Sequence, residues 1–87
     1  MKHRASHAFW RLYDALPAGV REQADRAFAL IKENPRHPSL HFKKIEGTTD
    51  RWSVRVGSQY RALAKEVGDE MRWHWIGTHN DYNRMLT

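Results

Sequence analysis

The sequence predicts an α/β chain of the α+β kind, a two-helix hairpin packed on one face of an antiparallel sheet of three to four short strands. Three observations predict it. Apolar residues recur at helical spacing through the first third of the chain. They alternate with polar residues through the second half. Asn34-Pro35 and Pro38 stand where the period changes, and the residue before a proline avoids the α region. The 87 residues form one domain, residues 1–87, because a chain of this size has no room for a second core.

Ser6 is placed to cap a first helix through its hydroxyl. Phe9, Leu12, Tyr13 and Leu16 then fall at i, i+3, i+4 and i+7, on one helical face. Leu16-Pro17-Ala18-Gly19 is a tight connection, so the second helix, from Ala18 or Val20 to Glu33, returns antiparallel to the first. Val20, Ala24, Ala27 and Ile31 line its apolar stripe, with Phe28 and Leu30 at the edges. The opening "MKHRASHA" alternates poorly and predicts at most a short strand.

His41 to Ile45 is a short strand candidate, followed by a turn at Gly47-Thr48-Thr49-Asp50. Three longer strands follow, separated by turns at Gly57-Ser58 and Gly68-Asp69, which reads as an antiparallel meander. Strict alternation assigns Trp52, Val54, Val56, Met71, Trp73 and Trp75 to the face under the hairpin. Ala62 and Ala64 leave room for the two indoles there. The opposite face receives Arg55, Arg61, Lys65, Arg72 and His74, with Leu63 and Ile76 between them. Tyr82 lies five residues before the last, so any C-terminal helix is expected to be a turn at most.

The chain has no cysteine, which excludes disulfides and thiolate zinc sites. The basic start, Met1-Lys2-His3-Arg4, is followed by no apolar leader, and no stretch is long enough to span a membrane. A cytoplasmic location without membrane association is expected. Residues 36–65 carry seven basic and two acidic side chains, an excess equal to the whole net charge of +5. Much of that excess falls on the sheet face away from the hairpin, which suits a polyanionic partner.

Few constellations carry chemistry. His37 and His41 have a metal-ligand spacing only on a helix, and Pro38 breaks that helix, so neither metal nor cofactor is expected. Glycosidase carboxylates, nucleophile elbows and phosphate-binding glycine loops are missing from the sequence. What remains is Arg55, Arg61, His79 and Tyr82, with Lys43 and Lys44 nearby. The set suffices for metal-free RNA cleavage. Histidine and tyrosine exchange protons with the 2′-hydroxyl and the leaving 5′-oxygen. Arginines neutralise charge developing on the phosphate. Taken residue by residue, a surface histidine at a strand end and a tyrosine plugging the core are the better descriptions of His79 and Tyr82.

An ordered series of segments adds to this reading: "NPRHPSLHFKKIEG" (34–47), "WSVRVGSQYRALAKE" (52–66) and "WIGTHNDYNRML" (75–86), all after a helix hairpin. The series resembles the RelE/ParE superfamily of toxins from bacterial type II toxin–antitoxin systems, from about Phe9 to Leu86. It matches a proline-containing linker, a strand with a Lys-Leu-x-Gly-like ending, a Tyr-Arg strand after a glycine turn, and an Ile-Gly-His-like strand end with a downstream tyrosine. The resemblance implies two helices on one face of a mostly antiparallel, twisted sheet, and an antitoxin that wraps the toxin. RelE-like members cleave mRNA, often in the ribosomal A site and without a metal. On this resemblance Arg61 matches the strand arginine and Tyr82 the downstream tyrosine. Arg55 stands where a basic strand residue is common, and His79 replaces a frequent arginine.

The resulting expectation is an mRNA endoribonuclease toxin that blocks translation. Arg61 and Arg55 would hold the scissile phosphate, His79 and Tyr82 would share acid/base work, and Lys43, Lys44, Arg51 and Arg84 would contact the RNA backbone. Two other readings keep the fold: a ParE-like toxin that inhibits DNA gyrase, and an inactive antitoxin-binding module. An acid/base pair favours the nuclease, since a toxin that only binds protein has no use for one.

Overall fold

The computed structural model describes residues 1–86. In chain order it contains β1 (Lys2–Ala5), α1 (His7–Asp14), α2 (Ala18–Glu33), a 3₁₀ turn (Pro38–Leu40), β2 (Lys43–Lys44), β3 (Arg51–Val56), β4 (Tyr60–Val67), β5 (Glu70–Thr78) and α3 (His79–Leu86). The strands form one sheet in the order β1-β5-β4-β3-β2. It is antiparallel except between β1 and β5. The α+β class and the predicted hairpin and meander are therefore present. Two counts differ from expectation. The sheet has five strands rather than three to four, and α3 runs for eight residues rather than one turn.

The extra strand is β1, which the poor alternation of "MKHRASHA" concealed. It is held mainly by its backbone. The Lys2 N–H donates to the Asp69 carbonyl at 3.0 Å and the Ser6 N–H to the Trp73 carbonyl at 2.9 Å, at either end of the parallel ladder. One side chain adds to this: His3 Nδ1 accepts the Trp73 indole N–H at 3.1 Å. That bond gives the buried indole nitrogen its partner.

Ser6 caps α1 as its position predicts, accepting the Phe9 N–H at 3.1 Å. Phe9 and Leu16 are buried, whereas Leu12 of the predicted face is 37% exposed. On α2, Ala24, Ala27 and Ile31 are buried, and the two alanines let the helix lie close to the sheet. Arg21 fastens the hairpin by donating to the Leu16 carbonyl at 2.9 Å, and Tyr13 does so by donating to Asp25 at 2.6 Å. Together these helices and the inward residues Val54, Val56, Ala62, Ala64, Met71, Trp73 and Ile76 make one core. Phe28 and Phe42 flank Trp73, with ring centroids at 5.0 and 6.2 Å.

Strict alternation fails once, inside β5. Ala64 pairs with Trp73 but Leu63 pairs with Trp75, so His74 is an extra residue and the strand carries a β-bulge. One inserted residue exchanges the faces beyond it. Ile76, opposite Ala62, is the residue that enters the core, at 2% exposure. Trp75 joins Leu63 on the outer face, contrary to the expectation that it lies beneath the hairpin. The physical reason is volume. Trp73 already fills the space between Phe28 and Phe42, and an isoleucine, not a second indole, fits the next inward position.

Glycine is required at Gly57, where φ is +60° and an added Cβ would stand 2.4 Å from Gln23 Oε1. The Gln23 side chain can swing aside, so it is the left-handed backbone of the tight β3–β4 turn that rests on that position.

The bulge separates the two tryptophans energetically. Trp73→Ala is expected to destabilise the fold by about 3–5 kcal/mol, as for a fully buried aromatic. Trp75→Ala is expected to cost less than about 2 kcal/mol. Denaturant melts of the two variants give the comparison, and equal losses would place both indoles in the core.

Candidate functional site

Cross-strand register brings the two central arginines together. Arg55 on β3 lies directly opposite Arg61 on β4, which in turn lies opposite Gly77 on β5. Directly opposed residues share a face, so both side chains leave the sheet on the side away from the hairpin. Arg55, on a stretch of β3 that β2 leaves unpaired, also borders a cleft with Gln23, Arg26 and Leu30 of α2. Arg55 Nε donates to the Gly57 carbonyl at 2.9 Å, which fixes that side chain against its own turn. Arg61 Nη1 is buried and has no hydrogen-bond partner among the described residues.

The start of α3 completes the cluster. The His79 N–H donates to the Gln59 carbonyl at 2.7 Å, tying the helix to the β3–β4 turn. Thr78 caps the helix by accepting the Asp81 N–H at 3.1 Å. His79 and Tyr82, one turn apart, set their rings nearly parallel, at 18° and 6.2 Å between centroids. The Arg61 guanidinium carbon lies 5.3 Å from the centre of the Tyr82 ring, a cation–π contact. Arg55, Ser58, Tyr60, Arg61 and His79 line a cleft of about 140 Å³.

All four predicted acid/base and phosphate residues thus converge, and Tyr82 does not plug the core. The predicted backbone contacts divide. Lys43 lies opposite Ser53, on the same face as the arginines, and Arg51 follows one step along that edge. Lys44 falls on the other face, with its ammonium 5.7 Å from the Trp52 ring centre. Arg84 is paired with Asp81 within α3. Among the described residues no group of three or more His, Asp or Glu side chains comes together to hold a metal ion.

Ser58 and Tyr60 were missed in the sequence, although the glycine turn before "SQY" was evident. The capped helix was also legible. Thr78 followed three residues later by Asp81 is a helix-start signature. Farther along α3, Met85 and Leu86 share a crevice of about 410 Å³ with Ile45, Arg51, Leu63 and His74. The helix therefore lies over the sheet face opposite the hairpin, beside the arginine cluster.

The sequence model of the ParE-like toxin domain matches residues 18–84. The chain belongs to the ParE-like toxin domain family. No curated protein matches it in sequence. Solved structures match it in fold. A chain of the RelB–RelE antitoxin–toxin complex of Methanococcus jannaschii superposes with a TM-score of 0.74 at 17% identity, over 95% of this chain and 98% of the other. The isolated Escherichia coli RelE toxin gives 0.68 at 18% identity, over 98% and 94%. YafQ from E. coli gives 0.70 at 14% identity, over 93% and 96%. The fold described above is thus RelE-like.

Two histidines outside the cluster link this fold to pH. Burial foremost, then Lys32 and the N-terminal ammonium, holds His3 below the usual histidine range. Burial, then Arg51 and Lys65, does the same for His74. A depressed folded value means that the native state prefers the neutral ring. The associated stability is complete above about pH 6.5, the unfolded value, and is lost as pH falls through the folded values. Thermal melts from about pH 7 to pH 5 are expected to show a falling Tm. Replacing both His3 and His74 with glutamine is expected to flatten that slope, and an unchanged slope would assign it to other groups.

Proposed function

We propose that this ParE-like domain is the toxin of a type II toxin–antitoxin pair and acts as a metal-independent endoribonuclease on mRNA. The observation that carries the reading is the buried, unpartnered Arg61 Nη1 beside Arg55, His79 and Tyr82. A buried guanidinium donor without an acceptor is costly, and a phosphate oxygen supplies the acceptor with charge assistance. A histidine and a tyrosine border the same cluster, and these are types that in-line attack by a 2′-hydroxyl can use for proton transfer.

The chemistry divides among the four side chains. Arg61 and Arg55 hold the scissile phosphate and stabilise the extra charge of the phosphorane. One member of the His79–Tyr82 pair takes the 2′-hydroxyl proton and the other donates a proton to the departing 5′-oxygen. The bond formed is O2′–P, the bond broken is P–O5′, and the product is a 2′,3′-cyclic phosphate with a free 5′-hydroxyl. Lys43 and Arg51 extend the cationic surface along the backbone of a single strand. An antitoxin with an acidic segment would cover this face, as a partner accompanies RelE in the M. jannaschii complex. Action on mRNA within the ribosome accords with the RelE-like fold.

The resemblance to ParE carries a second reading within the same family, a toxin that inhibits DNA gyrase and cleaves nothing. Induced expression separates the two. The nuclease reading expects growth arrest with shortened mRNA. Arg61→Ala and His79→Ala are expected to reduce cleavage by about 100- to 1,000-fold and relieve the arrest. Tyr82→Phe keeps the ring over Arg61, so an equal loss in that variant assigns the work to the hydroxyl. Arrest with whole mRNA, DNA-damage signalling and indifference to His79→Ala would favour gyrase.

A further inference from the structure

The β-bulge does more than fill the core correctly. It transfers Trp75, an aromatic residue of β5, to the face that carries the arginine cluster. Its position there is specific. A Cβ built on Gly77 would stand 2.5 Å from Trp75 Cζ2, 2.8 Å from Cη2 and 3.2 Å from Cε2. The indole therefore extends along the strand and lies across Gly77, which is itself the cross-strand partner of Arg61. A larger residue at position 77 would push the ring away. The indole remains partly exposed, unlike the 2% of Trp73. It takes no part in the aromatic cluster around Trp73.

We propose that Trp75 is the stacking platform for an unpaired nucleobase next to the phosphate held by Arg61, and that Gly77 is present to let the indole lie flat. The inference deepens the ribonuclease reading and rests on it. Phosphate contacts position a strand but leave its bases free. In-line attack needs the nucleotide beside the scissile bond splayed from its neighbours, and an aromatic face stabilises an unstacked base of any sequence. A stacking residue on the sheet floor therefore sets substrate class, single-stranded RNA with an unstacked base, without dictating its sequence.

The test pairs two probes with three variants. One probe is a short single-stranded RNA with every 2′-hydroxyl methylated, which binds but is not cleaved. The other is a phosphodiester chain of the same length with every base removed. Binding of each is measured by competition with a fluorescent RNA. Trp75→Leu is expected to weaken the methylated RNA by about tenfold or more. It is expected to leave the abasic chain within about twofold, since that ligand offers no base to stack. Gly77→Ala keeps the tryptophan but displaces its ring, and is expected to reproduce the base-dependent loss. This also serves if Trp75→Leu folds poorly. Arg61→Ala is expected to weaken both probes.

Equal loss on both probes would mean that Trp75 acts through the fold or through α3, and would overturn the stacking role. So would unchanged binding of the methylated RNA in both Trp75→Leu and Gly77→Ala, while Arg61→Ala remains defective. If the unmodified protein binds neither probe, or Arg61→Ala has no effect, the ribonuclease reading fails and the stacking role fails with it.

Discussion

The bulge at His74 is the constraint on which the rest of the molecule depends. Before it, β5 sends Met71 and Trp73 toward the hairpin. After it, the same strand sends Ile76 inward and leaves Trp75 and Gly77 on the outer face. Without the extra residue the core would receive two indoles in succession, and Ile76 would stand on the outer face. A single backbone irregularity thus satisfies core volume and composes the face that carries the arginine cluster at once. Bulges are frequent next to functional sites because they aim a side chain without altering the strands around it.

The outer face is built against ordinary sheet preference. Arg55 and Arg61 are directly opposed like charges, an arrangement that disfavours pairing by a few tenths of a kcal/mol to about 1 kcal/mol. Partial compensations are visible. The Gly57 carbonyl accepts from one guanidinium, and the Tyr82 ring lies against the other. Neither neutralises a charge. Opposed like charges recur along the same face, Arg51 with Lys65 and Lys65 with Arg72, and local rules broken in this way suit a face that meets a polyanion. The placement of α3 follows the same logic. Its tie to Gln59 and its Thr78 cap bring His79 and Tyr82 to the arginines, while none of its residues is fully buried. Both of these hydrogen bonds lie at the start of the helix, beside the arginines.

Much of this was legible in the residues. Ser6, the apolar spacing of α1 and α2 and the turns at Gly57 and Gly68 predict local structure through local causes, and those elements stand where expected. The convergence of Arg55, Arg61, His79 and Tyr82 followed from face assignment and from the family resemblance. What escaped has a common origin in long-range backbone pairing. β1 is a strand because β5 offers it a parallel edge, which alternation within "MKHRA" does not reveal. The bulge hides because Trp75 and Ile76 are both apolar, so either phase of the strand looks acceptable. A clue was present: the unbulged phase left Ile76, a large apolar residue, on the polar face. α3 was underread for a different reason, since Thr78 and Asp81 announced it and the nearby chain end outweighed them.

The central claim is that arginine-bound phosphate and a histidine–tyrosine pair cleave RNA by internal attack. The chemistry of the new ends tests it most directly. The protein is incubated with mRNA on ribosomes in its presence and absence, and the cleaved ends are identified by their susceptibility to enzymatic phosphorylation and by mass spectrometry. The account predicts 5′-hydroxyl ends opposite 2′,3′-cyclic phosphate or 3′-phosphate ends, lost in Arg61→Ala and His79→Ala. Products with 5′-phosphate and 3′-hydroxyl ends, or RNA that stays intact under conditions where the protein is toxic, would contradict it.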